Sequence, residues 1–171
     1  IPLSNDTQIF MEVVPCKTIG ITGSAGKTTT TTLVGKMAQR TKDEGGRMQD
    51  EESKNSSAVQ SIYPSVFVGG NIGDPLINYV DDMTADDLAV LELSSFQLEQ
   101  MTISPNIAAI LNITPNHLDR HGTMEAYTQA KARILEFQSA NDTAILGRDD
   151  VGAWSLKKQV KGHLQTFSLH D

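Results

Sequence analysis

The feature that most limits how this chain can fold is the glycine-rich run Gly23-Ser-Ala-Gly-Lys-Thr-Thr29. It follows the β-branched stretch Lys17–Thr22, which predicts a strand, and it opens a helical stretch from Lys27 to about Arg40. In a strand-loop-helix unit of this kind, the backbone N–H groups of the loop and the helix dipole point at one spot, where they stabilise an anion. The run therefore predicts a phosphate site, and we call residues 23–29 the phosphate loop.

Side chains of the phosphate loop suit a nucleoside triphosphate with magnesium. Lys27 can reach the β- and γ-phosphates, and the hydroxyl of Thr28 can coordinate the metal. The loop is shorter than the general phosphate-binding motif, because Ile21 stands where that motif has its first glycine. The alternative is a tight strand-to-helix turn with a surface lysine. The predicted ATP-binding residues are Gly23, Ser24, Ala25, Gly26, Lys27, Thr28 and Thr29.

The rest of the chain alternates strand-like and helical segments. Residues 88–93 and 107–113 form largely continuous apolar runs, as in strands buried on both faces of a parallel sheet. Helices are predicted to start at Asp74-Pro75 and near Thr123. Further strands are predicted at residues 65–68, 143–146 and 164–169. Because 171 residues suffice for one core, we predict a single α/β unit with a mostly parallel sheet and helices on both faces.

Composition argues against several classes of function. The chain has 14 basic and 21 acidic residues and a formal charge of -7, which disfavours nucleic-acid binding because that affinity comes from Lys and Arg on phosphates. The single cysteine, Cys16, cannot form an internal disulfide, which indicates a reducing compartment and favours the cytoplasm. No apolar run approaches the roughly 18 to 20 residues that span a bilayer, so no membrane partner is predicted.

Glu92 is a candidate metal ligand because of its position in the predicted sheet. It stands near the end of the apolar run 88–93, where the ligand sites of open parallel sheets gather. A carboxylate there can hold magnesium from the side opposite Thr28. The alternative is a polar strand-end residue capped by backbone N–H groups. Taken together with the phosphate loop, the position favours the metal site.

The segment Asn112-Ile-Thr-Pro-Asn-His-Leu-Asp-Arg120 should reach the same edge of the sheet, because it leaves the next buried strand. His117, Asp119 and Arg120 are therefore candidate site residues. The alternatives are a solvated histidine and an Asp-Arg pair that braces the loop. Lys131 lies in the helix that follows, where a lysine usually faces solvent, so the residue pattern alone does not select it.

Five segments of the chain, spread over about residues 15 to 150, resemble segments of the Mur ligases and occur in the same order. The phosphate loop and the segment 112–120 are shared across Mur ligases and folylpolyglutamate synthases. The segments 69–73 and 92–98 are typical of the members that add D-glutamate. The resemblance implies the P-loop NTPase-like central domain of that family. The segments are Gly23-Ser-Ala-Gly-Lys-Thr-Thr29, Gly69-Gly-Asn-Ile-Gly73, Glu92-Leu-Ser-Ser-Phe-Gln-Leu98, Asn112-Ile-Thr-Pro-Asn-His-Leu-Asp-Arg120 and Ala130-Lys-Ala-Arg-Ile134.

The resemblance implies ATP and two magnesium ions, with catalytic roles for Lys27, Glu92, His117 and Lys131. Lys27 would contact the transferring phosphate, and Thr28 and Glu92 would hold the first magnesium ion. His117 and Lys131 would hold the second. In the family the matching lysine carries a carbamate, which changes its charge from positive to negative and makes a neighbouring cation favourable.

The resemblance also implies an activity with small-molecule partners. The carboxylate of UDP-N-acetylmuramoyl-L-alanine would attack the γ-phosphate of ATP, and D-glutamate would open the acyl phosphate, during the synthesis of peptidoglycan precursors. Asn71 and Ser94 would face the UDP-muramoyl substrate, with Arg120 near its reacting end. The alternatives are another ATP-dependent amide ligase, similar to folylpolyglutamate synthases, and a non-catalytic nucleotide-binding module.

The expected domain organisation follows from the same resemblance. Residues 1–15 are expected to be a linker from a missing amino-terminal domain. Residues 16–171 are expected to form a monomeric central domain that is incomplete at its carboxy-terminal end and inactive alone. The polar, acidic stretch from Thr41 to about Ser61 is predicted to be a mobile surface loop.

Overall fold

The computed structural model describes residues 4–46 and 63–170. In these ranges six parallel strands form one sheet in the order β2-β3-β1-β4-β5-β6. This confirms the predicted α/β fold with a parallel sheet. The strands are β1 (Lys17–Thr22), β2 (Val66–Gly70), β3 (Leu88–Glu92), β4 (Ile107–Ile110), β5 (Thr143–Gly147) and β6 (His163–Phe167).

Helices connect the strands and pack on both faces of the sheet. The α-helices are α1 (Asp6–Val13), α2 (Lys27–Gly46), α3 (Ser95–Gln100), α4 (Leu118–His121), α5 (Met124–Glu136) and α6 (Val151–Ser155), with 3-10 helices at Leu76–Asp82 and Leu156–Gln159. Neighbouring strand residues point to opposite faces. Leu91 packs in the core with Phe10 of α1 and Tyr127 of α5, whereas Val90 packs on the face covered by Val34 of α2. No helix in the described ranges is long and apolar enough to cross a membrane.

The strand order reverses direction at β1. The chain leaves β1 for β2 on one side of it, whereas the chain that leaves β3 crosses to β4 on the other side. Such a reversal opens a crevice at the carboxyl ends of the strands, where ligands of α/β proteins bind. In the strand register Glu92 lies beside Ile21 and Gly70, so the end of β3 is level with the start of the phosphate loop.

The prediction of a linker over residues 1–15 missed a helix. Residues Asp6–Val13 form α1, whose first turn is capped by the Asn5 side chain accepting from the Gln8 N–H at 2.8 Å. Phe10 and Met11 are buried in the core. Their spacing from Thr7, three and four positions along the chain, is helical, and the prediction overlooked it. A connection from these residues to a further domain stays a prediction.

The predicted boundary of α2 was also wrong. The helix continues past Arg40 to Gly46, so residues 41–46 are helical and do not belong to a loop. Lys42 and Glu44 are good helix formers, whereas the pair Gly45-Gly46 disfavours continuation. The remainder of the predicted loop, residues 47–61, lies outside the described residues.

Smaller differences concern short elements. The helix predicted at Asp74-Pro75 is the 3-10 helix Leu76–Asp82, with Pro75 at its cap position. The segment 114–122, predicted to be a loop, contains the one-turn helix α4, and β4 ends at Ile110 instead of residue 113. The helices α3 and α6 were not predicted. Each of these helices spans only a few residues, which is too short for a periodic apolar pattern to indicate it.

Candidate active site

The phosphate loop connects β1 directly to α2. Gly26 has φ +81°, a left-handed conformation that favours glycine. Helix α2 begins at Lys27, and the N–H groups of its first turn have no carbonyl partner within the helix. The loop therefore has the strand-turn-helix geometry that its sequence predicted, with an anion-binding helix end at the sheet edge.

Asn112 holds the first half of the phosphate loop. Its Oδ1 accepts from the N–H of Ser24 at 3.0 Å and of Ala25 at 2.8 Å, while its Nδ2 donates to the carbonyl of Ala25 at 3.1 Å. The Ser24 N–H also lies 2.9 Å from the carbonyl of Asn112. Since Ser24 and Ala25 already have these partners, an incoming phosphate would meet the N–H groups at the start of α2.

The hydroxyl of Ser24 ties the phosphate loop to two further elements. It donates to the carbonyl of Thr114 at 2.9 Å and accepts from the N–H of the same residue at 2.9 Å. It also lies 3.2 Å from the hydroxyl of Tyr127, on α5. The segment after β4 and the helix α5 thus fix the conformation of the loop from one side.

Each of the two carboxylate oxygens of Glu92 accepts a hydrogen bond from a side chain. Thr28 Oγ1 donates to Oε2 at 2.7 Å, and Asn71 Nδ2 donates to Oε1 at 2.9 Å. Glu92 is 2% exposed, so its carboxylate is almost completely removed from water. Within the described residues its side-chain partners are hydroxyl and amide groups, and not the backbone N–H groups of the alternative prediction. Three residues that were predicted separately are in contact here.

The groups around Glu92 fit a magnesium ion. A carboxylate and a hydroxyl are oxygen ligands, and magnesium in nucleotide sites is held by one or two carboxylates together with phosphate oxygens and water. Thr28 belongs to the phosphate loop, so its hydroxyl and a bound phosphate would lie on the same side of Glu92. No group of three or more His, Cys, Asp or Glu suited to a metal occurs in residues 4–46 and 63–170, so further ligands would come from nucleotide or solvent.

Lys131 is buried at the back of the phosphate loop, and the expectation that a helical lysine faces solvent is wrong for it. It is 1% exposed, and its Nζ donates to the carbonyl of Gly23 at 3.0 Å and to Thr22 Oγ1 at 3.4 Å. Lys27 Nζ donates to the same Gly23 carbonyl at 3.0 Å. Burial, and then the charge of Lys27, lower the pKa of Lys131 from 10.5 to about 7.

This environment decides what Lys131 can do. An amine that donates hydrogen bonds beside another lysine is a poor metal ligand in that form. A carbamate on the same nitrogen would instead present oxygen atoms with a negative charge, which do suit magnesium. The lowered pKa of Lys131 favours the neutral form of the amine, which is the form that a reaction with carbon dioxide would require.

His117 lies at the start of α4, near the Tyr127 ring that Lys131 also contacts. It is exposed and adopts a left-handed backbone with φ 52° and ψ 30°. The ring centroids of His117 and Tyr127 are 6.5 Å apart, and Lys131 Nζ lies 4.7 Å from the Tyr127 centroid. His117 and Lys131 thus share a neighbour, and no direct contact between them is found in the described part of the chain.

The predicted substrate residues lie around the same edge but differ in how they are engaged. Asn71 contacts Glu92, as described. The hydroxyl of Ser94 caps α3, accepting from the Gln97 N–H at 3.2 Å and donating to Gln97 Oε1 at 2.9 Å. Arg120 is exposed, with its guanidinium carbon 5.3 Å from the centroid of Phe96.

Two residues near the site were not predicted from the sequence. Tyr127 is buried between Ser24, His117 and Lys131, and its position one helical turn before Lys131 could have indicated a shared face. His121 has a buried side chain that contacts α3. Asp119, which was a candidate, is exposed, and in the described residues Arg120 contacts the Phe96 ring and not this carboxylate.

Sequence comparisons connect the chain with a known protein family. The family model described as Mur ligase middle domain matches residues 21–171. A UDP-N-acetylmuramoylalanine--D-glutamate ligase of Clostridium botulinum strain Okra is 41% identical over 98% of the chain, and one of Koribacter versatilis is 43% identical over 98%. The chain spans 32% and 33% of the length of these two relatives.

A solved structure shares the fold. The MurF ligase from Thermotoga maritima, in complex with ADP, matches with a TM-score of 0.63 and 22% identity. The match covers 96% of this chain and 35% of the MurF chain. This likeness concerns the fold, and the family comes from the sequence comparisons.

Proposed function

The chain belongs to the Mur ligase family, and from this premise we propose that it forms the ATP-binding centre of a ligase that joins D-glutamate to UDP-N-acetylmuramoyl-L-alanine. The substrates are those in the names of relatives that are 41% and 43% identical to it. The observation that carries the proposal is the contact of Thr28 with Glu92 beside the phosphate loop, with Lys131 buried behind that loop. Phosphate, metal and modified lysine would meet there.

The proposed reaction has to bring two anions together. The substrate carboxylate attacks the γ-phosphorus of ATP, ADP leaves, and the amine of D-glutamate then displaces phosphate from the acyl phosphate. Lys27 and the N–H groups at the start of α2 would bind the phosphates and stabilise charge on the transferred group. Magnesium ions, when bound, would supply positive charge that reduces the repulsion between carboxylate and triphosphate. No covalent enzyme intermediate is needed, so none of these residues acts as a nucleophile toward substrate.

The chain offers residues for two magnesium ions. Thr28 and Glu92 would hold one of them, as their contact at 2.7 Å supports. His117 and a carbamylated Lys131 would hold the other. The neutral amine of Lys131 can add to carbon dioxide and lose a proton, which gives a carbamate with the negative charge that this second ion requires. The lowered pKa of Lys131 supports that step.

The remaining assignments concern the substrate and the rest of the protein. Asn71, Ser94 and Arg120 would face the UDP-muramoyl substrate, and Asn71 is supported by its contact with Glu92. We further propose that residues 16–171 are a central domain and that residues 1–15 lead into it from another domain. The domain would act as a monomer in the cytoplasm, where ATP and UDP-linked substrates are found.

The experiment that tests the activity follows phosphate release from ATP by the full-length protein. UDP-N-acetylmuramoyl-L-alanine is supplied with D-glutamate, L-glutamate, L-lysine or no amino acid, and dihydropteroate replaces it in a parallel series. Release that requires both UDP-N-acetylmuramoyl-L-alanine and D-glutamate is the expected result. Release with dihydropteroate and L-glutamate would indicate another amide ligase, similar to folylpolyglutamate synthases, and binding of ATP without release under any condition would indicate a non-catalytic module.

A further inference from the structure

His121 is a buried histidine with hydrogen-bond contacts at both ring nitrogens. Its Nε2 lies 3.0 Å from Ser95 Oγ, and its Nδ1 lies 3.1 Å from Glu99 Oε1. The ring also stacks on Phe96, with centroids 5.1 Å apart and planes at 11°. The His121 side chain is 3% exposed. All three partners belong to α3, so a single side chain of α4 contacts three residues of the neighbouring helix.

Apart from His121, the turn 117–121 is held by ring contacts and has few buried groups; on the α5 side the Tyr127 ring lies 6.5 Å from that of His117 and 5.1 Å from that of His121, between centroids. Helix α4 has four residues, none of which is buried as a whole, and an isolated helix of one turn is unstable in water. Its backbone is closed by the N–H groups of Arg120 and His121, which both lie 3.0 Å from the carbonyl of His117. His117 itself has a positive φ, which is unfavourable for a residue other than glycine. Contacts outside the turn must therefore stabilise this conformation.

Phe96 of α3 contacts two further residues of the turn besides His121. Its ring centroid lies 5.6 Å from that of His117, and the guanidinium of Arg120 lies 5.3 Å from it. Both of these residues are exposed. The hydrogen-bonded and buried member of the set is His121, so it is the residue that fixes the distance between α4 and α3.

A serine, a histidine and a carboxylate in contact also occur in hydrolases, where they activate the serine as a nucleophile. That interpretation fails here because Ser95 is 3% exposed, so a substrate cannot reach its hydroxyl. The arrangement instead satisfies the polar groups of a buried histidine. Its consequence is mechanical: the imidazole holds the turn against α3.

We propose that His121 is a positioning residue, which through Ser95 and Glu99 holds the turn 117–121 so that His117 and Arg120 face the site. The inference rests on the proposed function, in which His117 and Arg120 take part. His121 would not touch the substrate. It acts by fixing the backbone of His117, which would hold magnesium, and of Arg120, which would face the substrate. A displacement of about 1 Å in such residues lowers turnover strongly.

The test compares His121→Phe with Glu99→Met and Glu99→Gln in the full-length protein. Phenylalanine keeps the ring that stacks on Phe96 and removes both hydrogen bonds. Glu99 is 48% exposed, so Glu99→Met removes one partner with little risk to folding, and Glu99→Gln keeps an oxygen acceptor. His163→Phe, at an exposed histidine of β6, controls for the exchange of residue type.

Two readouts separate a positioning role from a general structural one. Hydrogen-deuterium exchange is expected to become faster at the amides of Arg120, His121 and Gly122 in His121→Phe and Glu99→Met, with the amides of β4 unchanged. Turnover is expected to fall by about tenfold or more in the same variants, with the KM for ATP within about twofold of the original because the phosphate loop has other supports. Glu99→Gln should stay within about threefold in turnover.

The double variant His121→Phe/Glu99→Met should lose no more turnover than His121→Phe alone, since both changes remove the same contact. Unchanged exchange at the three turn amides in His121→Phe would overturn the proposal. So would a loss of turnover in Glu99→Gln as large as in Glu99→Met. If the exchange results are as expected but the unsubstituted protein does not use D-glutamate, the turn contact is supported and the proposed activity is what fails.

Discussion

Glu92 shows how a single buried side chain can connect three parts of the chain. Its oxygens contact Thr28 from the phosphate loop and Asn71 from the end of β2, while its backbone ends β3. Burying a carboxylate is costly unless donors surround it, and here each oxygen has one. The negative charge is thus kept at the place where a metal ion would need it.

Replacing Glu92 with glutamine tests that charge. Glu92→Gln keeps the volume of the side chain, so we expect the chain to fold, while turnover of the full-length protein falls by about 100-fold or more. Phosphate release and circular dichroism measure the two effects. Glu125→Gln, an exposed exchange of the same kind on α5, is the control and should keep its turnover. Turnover near the original value in Glu92→Gln would refute the metal assignment.

Lys131 makes the stability of the fold depend on pH. Its pKa is about 7 in the fold and 10.5 in an ordinary environment, so between these values the unfolded chain binds more protons than the folded one. Lys131 therefore makes the free energy of unfolding increase as pH rises from 7 toward 10, by at most about 1.4 kcal/mol per pH unit. Below pH 7 the penalty for burying the lysine is fully present.

Lys131→Met removes this ionisation. In bicarbonate-free buffer the variant should be more stable than the original chain at pH 7, and its advantage should shrink at pH 9.5, as urea unfolding would measure. Lys36→Met, at an exposed lysine of α2, is the control for the exchange itself. An advantage of Lys131→Met that stays constant between the two pH values would contradict the shifted pKa.

At the scale of elements, α5 holds the end of α3 through one arginine. Arg133 Nε donates to the carbonyl of Leu98 at 3.0 Å, and its Nη2 donates to the carbonyl of Met101 at 2.6 Å. Carbonyls at a helix end lack partners within the helix and must find them elsewhere. A short helix such as α3 therefore depends on its neighbour α5 for its carboxyl end, as it depends on His121 nearer its start.

Arg133→Ala should lower the free energy of unfolding by about 1 to 3 kcal/mol, because two carbonyls of the α3 end lose charged donors. Denaturant unfolding measures the loss. Arg133→Lys is the matched variant: one ammonium can replace at most part of the pair, so its loss should be smaller than that of Arg133→Ala. Unchanged stability in Arg133→Lys, together with a loss in Arg133→Ala, would show that the paired hydrogen bonds to Leu98 and Met101 contribute nothing and that only the aliphatic stem matters.

The same contacts explain which elements the sequence could predict. The strands β1, β3 and β4 carry their signal locally, in β-branched or continuous apolar runs, and their positions were predicted to within a few residues. The helices α3 and α4 are stabilised in part by distant groups, including Arg133 and the pair of Glu99 with His121, which no local pattern indicates. For α3 the capping pair Ser94 and Gln97 was a local sign of the helix start that the prediction did not use. Helix α1 was missed because two buried residues, Phe10 and Met11, were the main sign of its periodicity.

The site could be predicted where its residues follow predicted strands, and not where they depend on packing between distant elements. The phosphate loop and Glu92 follow strands, so the parallel sheet implied that they meet. Lys131 came only from the resemblance to Mur ligases, since its burial depends on the packing of α5 against β1. Asn112 lay inside a quoted segment, but its bonds to Ser24 and Ala25 arise from a loop conformation that spacing does not reveal.

At the scale of the whole molecule, one sheet brings together groups that are far apart in the chain. The crevice where the strand order reverses collects Thr28, Asn71, Glu92, Asn112 and Lys131 from five separate segments. Each of them forms a hydrogen bond with another of these residues or with the phosphate loop. The site is therefore a property of the assembled sheet, and any change that separates β3 or β4 from β1 removes it.

The central position of β1 also has a consequence for the time course of folding. Lys17 pairs with Leu88 and Ile19 pairs with Ile107, so neither neighbour of β1 is close to it in the chain. Pairings of such long range are slow to form because a large loop must close first. During synthesis, β1 and the phosphate loop leave the ribosome before β3 and β4, and they must wait for these strands before β1 can be paired on both sides. The segment that would bind nucleotide is thus made before the two strands that complete its surroundings.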